Sequence, residues 1–314
     1  MNEEALIEKS ISALKKGDLL IYPTETVYGI GVDSQNIEGL KKLYKIKNRP
    51  IHKPLVLNVS SIDMVSKLAY ISEDTRLLME YFWPGPITFI LKSISEEKNI
   101  GFRMPDNSLT LKVIENFGAP ISGTSANISG LLASTNIEKT KSYFPQTDIF
   151  FLDGGKPSIG IESTILDMSS YENYKIIRHG IISKDNIEST LKKTISDKQS
   201  EIYYSLAGNI KFLLTSMSQL KENKYNYTND DYIWLVREQT TKKTNLSNLK
   251  NVIVISDDSQ EALKNLYDNI NSIQTDRVKF IVAEMREPLI YADKLFNEKI
   301  SMLAHRTYIN LEDL

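Results

Sequence analysis

The sequence predicts an α/β protein in which a twisted mixed sheet with helices is followed by a smaller Rossmann-like α/β domain. Short apolar runs alternate with amphipathic stretches at helical spacing, which is the pattern of strands interleaved with helices. Several apolar runs follow one another without a helix between them, and this favours a sheet with mixed strand directions. Near the end of the chain the strand–helix alternation becomes regular, which is typical of a parallel sheet.

The first predicted elements are a helix, a strand and a second helix. Apolar residues at helical spacing predict a helix over the first 16 residues, ended by Gly17. Residues 18–22 form a predicted buried strand, and we expect Gly29 and Gly31 to begin the turn after it. The second helix, over residues 36–46, leads into a basic loop. Two further short helices are predicted at residues 63–68 and 73–82. Short strands are predicted at residues 54–59, 88–92, 100–103, 149–152, 163–167 and 174–177.

The chain is predicted to form two domains joined by a linker. We assign residues 1–195 to the first domain, because an unbroken polar stretch begins at residue 196. Residues 196–209 form the predicted linker, and residues 210–314 form the second domain. Its predicted strands lie at residues 233–236, 252–255 and 278–282, and its predicted helices lie at residues 261–270 and 292–303. No GxGxxG fingerprint follows these strands, so a dinucleotide site is not supported.

Composition and charge exclude several classes of site. Of the 314 residues, 41% are hydrophobic and 25% are charged, which is ordinary for a globular protein with a sizeable core. The sequence has no cysteine, which excludes disulfides, thiolate metal sites and cysteine nucleophiles. A net charge of -2 gives no chain-wide electrostatic reason to expect nucleic acid. The polar start of the chain and the absence of a long apolar run lead us to expect a cytoplasmic protein.

Two polar clusters follow the first strand and the second helix. The hydroxyls of Thr24 and Thr26 lie at a strand end, which is typical of a loop that binds a small oxygen-rich ligand. Lys47, Arg49 and Lys53 lie close together between prolines, and such a loop can clamp phosphate through bidentate arginine contacts. Taken alone, the first cluster also fits a strand followed by a glycine turn, and the second fits a solvated basic loop.

Two further clusters lie in the second half of the first domain. Residues 122–130 combine small hydroxyls, glycines and Asn127, and their backbone N–H groups can form an anion-binding nest. Residues 160–167 include Ser163, and Arg178 follows shortly after. An ordinary polar turn explains the first of these clusters equally well, and two paired strands explain the second.

Taken together, the clusters carry a family resemblance. Six motifs occur in order between residues 22 and 164: Tyr-Pro-Thr-Glu-Thr-Val-Tyr-Gly at 22–29, Lys-x-Arg-Pro at 47–50, Phe-Trp-Pro-Gly-Pro at 82–86, Arg-Met-Pro-Asp at 103–106, Thr-Ser-Ala-Asn-x-Ser-Gly at 124–130 and Glu-Ser-Thr at 162–164. In these motifs the chain resembles the threonylcarbamoyl-AMP synthases, the YrdC-like family. The second domain resembles, in its layout, the C-terminal domain of the longer, Sua-type members. The resemblance implies a YrdC-like catalytic domain over residues 1–195 and a linker that acts as a lid over residues 196–209.

The resemblance implies an enzyme, a nucleotidyltransferase that makes threonylcarbamoyl-AMP and pyrophosphate from L-threonine, bicarbonate or CO2, and ATP. The amine of threonine captures bicarbonate or CO2, and the new carboxylate attacks the α-phosphate of ATP. Mg2+ is the implied cofactor, carried by ATP without a protein ligand. The implied downstream partner is a tRNA threonylcarbamoyl transferase complex, for t6A37 modification of tRNA. Neither a membrane nor stable nucleic-acid binding is required.

Roles for individual residues follow from the resemblance alone. The implied catalytic residues are Lys47 and Arg49. The implied L-threonine contacts are Thr26, Asn58, Arg103, Ser125 and Ser163. The implied ATP contacts are Arg49, Lys53, Ser125, Asn127, Thr135, Arg178 and, from the lid, Tyr204.

The chain departs from the family pattern at several positions. Lys53 and Asn58 stand where the family often has asparagine and histidine, and His179 follows Arg178 where proline is usual. The common prolines after Gly130 and the Pro-Gly of the linker are absent. These departures concern the lid and the substrate contacts more than the core chemistry.

Three alternative functions compete with the synthase. A module that binds double-stranded RNA or tRNA without catalysis would need a basic surface rather than an ordered polar site. Carbamoyl transfer in hydrogenase maturation uses a similar module in a larger protein, but the cysteine-rich zinc motifs of that protein are absent here. A degenerate, inactive relative would not keep the matching polar positions filled.

Overall fold

The structure is a computed structural model that describes residues 2–145, 148–171, 173–197, 211–215, 231–244, 250–273, 278 and 280–304. The chain divides into two compact units. The first unit comprises residues 1–129 and 133–200, and the second comprises residues 130–132 and 201–314. Most of the predicted linker lies outside the described residues, so the domain boundary stays a prediction.

The first unit begins with a capped helix and continues as strands interleaved with helices. Its helices are α1 (Glu3–Lys16), α2 (Ile37–Ile46), α3 (Ile62–Ser66), α4 (Glu73–Phe82), α5 (Ser108–Phe117), α6 (Ile137–Tyr143) and α7 (Lys184–Leu191). Its strands are β1 (Leu19–Tyr22), β2 (Gly29–Asp33), β3 (Val56–Asn58), β4 (Ile87–Lys92), β5 (Asn99–Arg103), β6 (Ile121–Ser125), β7 (Ile149–Phe151), β8 (Thr164–Asp167), β9 (Lys175–Arg178) and β10 (Ser196–Asp197). Helix α1 starts where the Asn2 side chain accepts a hydrogen bond from Ala5 N. It ends at Gly17, which adopts the left-handed conformation that favours glycine, as the sequence predicts.

The described strands of the first unit form one mixed sheet in the order β10-β9-β8-β4-β5-β3-β6-β2-β1-β7. Four neighbouring pairs are parallel (β9–β10, β4–β8, β3–β5 and β1–β7) and the other pairs are antiparallel, so the predicted mixed sheet is confirmed. The register matters for function because Asn58 lies beside Arg103 and Ile165 lies beside Arg178. Polar side chains from distant parts of the sequence therefore meet at strand ends.

Strand β1 is buried on both of its faces. Leu20 and Tyr22 pack in a cluster with residues of α1 and α5. Leu19 and Ile21 point the other way and pack with residues of β2 and α2. A strand covered on both faces must be apolar at every position, which explains the unbroken apolar run at the start of the chain.

Gly29 and Gly31 do not begin a turn, and that expectation is wrong. Both glycines lie inside strand β2, which pairs with β1 and β6. A side chain on Gly29 would come within 2.5 Å of the Tyr22 ring, and one on Gly31 within 2.7 Å of Ile121. The glycines are present because the strand passes against bulky neighbours.

The second unit is a parallel sheet with helices. Its strands β11 (Lys211–Thr215), β12 (Tyr232–Arg237), β13 (Val252–Ile255) and β14 (Phe280–Glu284) lie in the order β11-β14-β12-β13, and all described pairs are parallel. Its helices are α8 (Glu238–Thr244), α9 (Ser259–Asn271) and α10 (Tyr291–Ala304). The predicted Rossmann-like α/β domain is confirmed. Within the described part of the chain, none of the helices combines the length and the apolar character needed to cross a membrane.

Candidate functional site

The loop between β1 and β2 is bent by hydroxyl groups. Thr24 Oγ1 accepts hydrogen bonds from the backbone N–H groups of Thr26 and Val27, both at 3.2 Å, and donates its proton to Val27 O at 2.6 Å. Because that proton is used, the 2.9 Å contact between the two threonine hydroxyls is donated by Thr26. The Thr26 oxygen then accepts from Arg103 Nη2 at 2.7 Å. Thr26 is fully buried and serves as a hydrogen-bond acceptor for Arg103.

Arg103, predicted to contact L-threonine, already contacts a carboxylate of the chain. Its Nη2 lies 2.9 Å from Oε2 of Glu25, and both side chains are almost completely buried. Sequence reasoning did not select Glu25. The sequence did carry a signal for it, since Glu25 is an acid enclosed by apolar and hydroxyl residues. Such an acid predicts a positively charged partner when its loop is buried, because carboxylates are rarely buried without one.

Asn58 lies beside Arg103 in the register of β3 and β5 and faces a buried phenol. Its Nδ2 donates to Tyr22 Oη at 2.9 Å and more weakly to Ile121 O at 3.4 Å. Burial raises the pKa of Tyr22 above its ordinary value, and the nearby positive charge of Arg103 opposes the shift. Tyr22 therefore remains a neutral hydroxyl next to the Asn58 amide.

Ser163 and Arg178 form a second polar group at the start of β8 and the end of β9. Arg178 Nε donates to Ser163 O at 3.0 Å, and Arg178 Nη2 donates to Ser163 Oγ at 3.1 Å. The same Oγ lies 2.9 Å from Thr88 Oγ1 in β4. The structure thus brings together a predicted threonine contact and a predicted ATP contact.

Lys47 lies in an environment different from the solvated basic loop considered above. It caps the C-terminal end of α2, is 1% exposed, and donates to Ser125 O at 2.5 Å and to Asn127 O. Its own carbonyl accepts from Ser129 N at 2.8 Å. Burial holds the pKa of Lys47 well below its ordinary value, and the charge of Arg49 adds to this effect. Lys47 braces the loop after β6, and its predicted catalytic role stays a prediction.

Arg49 is half-buried and is held by its own loop. Nε donates to Lys53 O at 3.2 Å, and Nη2 donates to Pro54 O at 2.7 Å. Burial lowers the pKa of Arg49 from its ordinary value, and the positive charge of Arg178 lowers it further against the opposing influence of Tyr44.

The remaining predicted residues lie in three different settings. Ser125 Oγ donates to Asn127 Oδ1 at 2.5 Å in the braced loop after β6. Thr135 is buried in the segment that follows this loop. Lys53 is exposed. Tyr204, the predicted lid contact, lies outside the described residues.

These contacts define two groups of charged and polar residues in the first unit. The first group contains Thr26, Asn58 and Arg103, and the second, the arginine pair, consists of Arg49 and Arg178. Among the described residues, neither member of the arginine pair has a carboxylate within 4.0 Å. Guanidinium groups without carboxylate partners attract an anion with several oxygens, such as a phosphate chain.

Comparison with known proteins identifies the family. The family model Sua5_yciO_yrdC, described as Telomere recombination, matches residues 12–180. The chain belongs to this family. It is 32% identical over 202 residues to a protein from Bacillus subtilis named threonylcarbamoyl-AMP synthase, with 61% of this chain and 58% of the relative covered. A relative of the same name from Pyrococcus abyssi is 31% identical over 198 residues, with 60% of this chain and 58% of the relative covered. The chain therefore matches less than two thirds of the length of these curated relatives.

Solved structures share the fold over almost the whole chain. A variant of Sua5 from P. abyssi superposes with a TM-score of 0.84 at 23% identity, covering 99% of this chain and 95% of the other. Sua5 from P. abyssi complexed with L-threonine superposes with a TM-score of 0.82 at 21% identity, covering 99% of this chain and 97% of the other. The predicted YrdC-like fold with a Sua-type second domain is confirmed.

Proposed function

We propose that the chain is an L-threonylcarbamoyladenylate synthase, which makes threonylcarbamoyl-AMP and pyrophosphate from L-threonine, bicarbonate or CO2, and ATP. The observation that carries the proposal is the arginine pair. Neither Arg49 nor Arg178 has a carboxylate within 4.0 Å among the described residues, and Arg178 Nη2 donates a hydrogen bond to Ser163 Oγ at 3.1 Å. The names of the relatives support the same reaction, and the threonine complex of Sua5 supports threonine as a substrate.

The chemistry needs positioning rather than a protein nucleophile. The amine nitrogen of threonine forms a bond to the carbon of bicarbonate, and water leaves, which gives a carbamate. A carbamate oxygen then attacks the α-phosphorus of ATP, and the bond to pyrophosphate breaks. Holding a short-lived carbamate in line with the α-phosphate removes much of the entropic barrier. Guanidinium groups that face the phosphates stabilise the charge that develops there.

The two groups of residues divide these tasks. Arg103 pairs with the carboxylate of the threonine substrate. Thr26 accepts a hydrogen bond from a donor group of the same substrate. Arg49 and Arg178 bind the phosphates of ATP. Lys47 acts indirectly in this scheme, because its side-chain nitrogen donates to the carbonyls of Ser125 and Asn127, two residues that we propose as ATP contacts.

Mg2+ is part of the proposal as an ion bound to ATP. Among the described residues, no group of three or more His, Asp or Glu side chains is arranged to hold a metal ion. Mg2+ commonly uses substrate phosphates and waters with few protein ligands, so this donor set fits an ion held chiefly by the nucleotide. When bound, Mg2+ would neutralise phosphate charge. The product would pass to a tRNA threonylcarbamoyl transferase complex for t6A37 modification.

The test is pyrophosphate release under substrate omission. We expect release from a mixture of protein, ATP, Mg2+, L-threonine and bicarbonate, and a loss of release when threonine or bicarbonate is omitted. Release that does not depend on threonine would contradict the proposal. RNA binding with a steep salt dependence, together with no pyrophosphate release, would instead favour a nucleic-acid-binding module.

A further inference from the structure

Glu25 lies in the loop between β1 and β2 and ties three segments together. Its Oε2 accepts hydrogen bonds from Arg103 Nη2 at 2.9 Å and from Asp106 N at 3.1 Å. Its backbone carbonyl accepts from Ile159 N at 2.8 Å. Glu25 therefore joins its own loop to the chain that follows β5 and to the chain that precedes β8.

The contact between Glu25 and Arg103 uses one oxygen and one nitrogen. Glu25 Oε1 and Arg103 Nε are both buried and have no hydrogen-bond partner in the described part of the chain. A guanidinium fork matches a carboxylate through two parallel hydrogen bonds, and that arrangement would satisfy both atoms. Unpaired buried polar atoms are unfavourable for stability. Stability alone therefore does not explain this geometry.

The one-sided contact fixes the direction of the guanidinium group. Nη2 is shared between Glu25 Oε2 and Thr26 Oγ1. Nη1 makes no hydrogen bond among the described residues, and it does not belong to the buried unpaired atoms. Nη1 is thus the nitrogen that remains available to a ligand. Without Glu25, the neutral hydroxyl of Thr26 would be the other side-chain group left to hold this orientation.

We infer that Glu25 is the positioning residue for Arg103: it directs Nη1 toward the carboxylate of the amino-acid substrate. This inference rests on the proposed function, in which Arg103 binds that carboxylate. Glu25 does not contact the substrate and takes no part in bond making.

Removing the charge of Glu25 has two opposed effects on Arg103. Arg103 loses a neighbouring negative charge, which increases its general attraction for anions. The hydrogen bond that sets its direction also loses its charge assistance, so a neutral amide oxygen holds the guanidinium less firmly, and hydrogen bonds weaken steeply when the donor is misaligned. The loss of direction dominates at contact distance, so threonine binds more weakly.

The test compares Glu25→Gln with the wild-type chain in two measurements. Isothermal titration calorimetry gives the Kd for L-threonine, and pyrophosphate release gives KM for threonine and for ATP. We expect Kd and KM for threonine to rise about tenfold, equivalent to about 1.4 kcal/mol, while KM for ATP changes by no more than about twofold. Glu188→Gln is the matched control, since Glu188 also accepts from a backbone N–H, that of Ile195 at 2.8 Å. It should leave all three constants unchanged.

A double-mutant cycle separates positioning from a general structural effect. In an Arg103→Met background, Glu25→Gln should change the threonine Kd by no more than about twofold, because its target is absent. A full-sized effect in both backgrounds, or an unchanged threonine Kd in Glu25→Gln alone, overturns the inference. If Glu25→Gln does not fold, Glu25→Asp provides the same comparison, because the charge stays and the reach shortens.

The outcomes also separate this inference from the proposed function. A wild-type chain that binds threonine but releases no pyrophosphate contradicts the synthase, and calorimetry then still decides the role of Glu25. A wild-type chain that does not bind threonine overturns both.

Discussion

Replacing Lys47 with methionine tests whether this lysine is a brace of the fold. Lys47 is 1% exposed, and its ammonium group donates to the carbonyls of Ser125 and Asn127. Methionine preserves most of the volume but removes both hydrogen bonds. Ser125 O retains a hydrogen bond from Asn127 N at 3.0 Å, which limits the loss at that carbonyl.

The magnitude follows from these contacts. A buried acceptor that loses its partner costs about 1–3 kcal/mol. The desolvation cost of a buried ammonium group, which methionine does not have, offsets part of the loss. We therefore expect Lys47→Met to lower the free energy of unfolding by about 1–3 kcal/mol, or to lower the melting temperature by about 2–4 °C for each kcal/mol.

The assay must report on the first unit alone. The chain has two tryptophans, Trp83 in the first unit and Trp234 in the second, so a Trp234→Phe background makes fluorescence specific for the first unit. Lys41→Met is the matched control, because Lys41 lies on the same helix, is 68% exposed and pairs with Glu38. It should change the unfolding free energy by less than about 0.5 kcal/mol. Equal unfolding midpoints for the two variants would refute the bracing role of Lys47.

Three further predictions follow from the geometry. Arg49→Ala should strongly reduce pyrophosphate release yet change the unfolding midpoint little, since both of its hydrogen bonds go to carbonyls of its own loop; full activity would refute the phosphate contact. Gly123→Ala should destabilise the first unit because its Cβ would lie 2.2 Å from Tyr22 Oη, and Tyr22→Phe should restore part of the loss in urea unfolding; no restoration would contradict this clash. The hydrogen bond from Lys193, and to a lesser degree that from Tyr174, holds the pKa of Asp74 below its ordinary value. This contribution to stability is present above the unfolded-state pKa and is lost as pH falls through the folded-state pKa. Asp74→Asn should therefore reduce the fall in the free energy of unfolding that the wild-type chain shows below about pH 4. An unchanged pH dependence would contradict this prediction.

The apolar pattern predicted most of the fold because a strand that is buried on both faces of the sheet appears in the sequence as an unbroken apolar run. The run at the start of the chain became β1, whose Leu19 and Leu20 point to opposite apolar clusters. The helix end at Gly17 was equally local. The same reasoning failed at Gly29 and Gly31, because glycine permits a turn but also permits close packing. The ring of Tyr22, not the local sequence, decides between the two.

The motifs indicated the members of the site but not their contacts. The partners of Lys47 lie 78 and 80 residues away in sequence, and Thr26 is 77 residues from Arg103. Such pairs depend on strand register, which no local pattern specifies. For this reason the sequence did not reveal that the Lys47 side chain is buried against the loop after β6, and Glu25 was not selected at all.

The most direct test of the central claim is the identity of the product. The protein is incubated with ATP, Mg2+, L-threonine and carbon-13-labelled bicarbonate, and the adenylate is analysed by mass spectrometry. If the chain is the proposed synthase, we expect threonylcarbamoyl-AMP that carries the labelled carbon in its carbamate group. An adenylate without the label, or no adenylate in a sample whose fold is intact, would contradict the account.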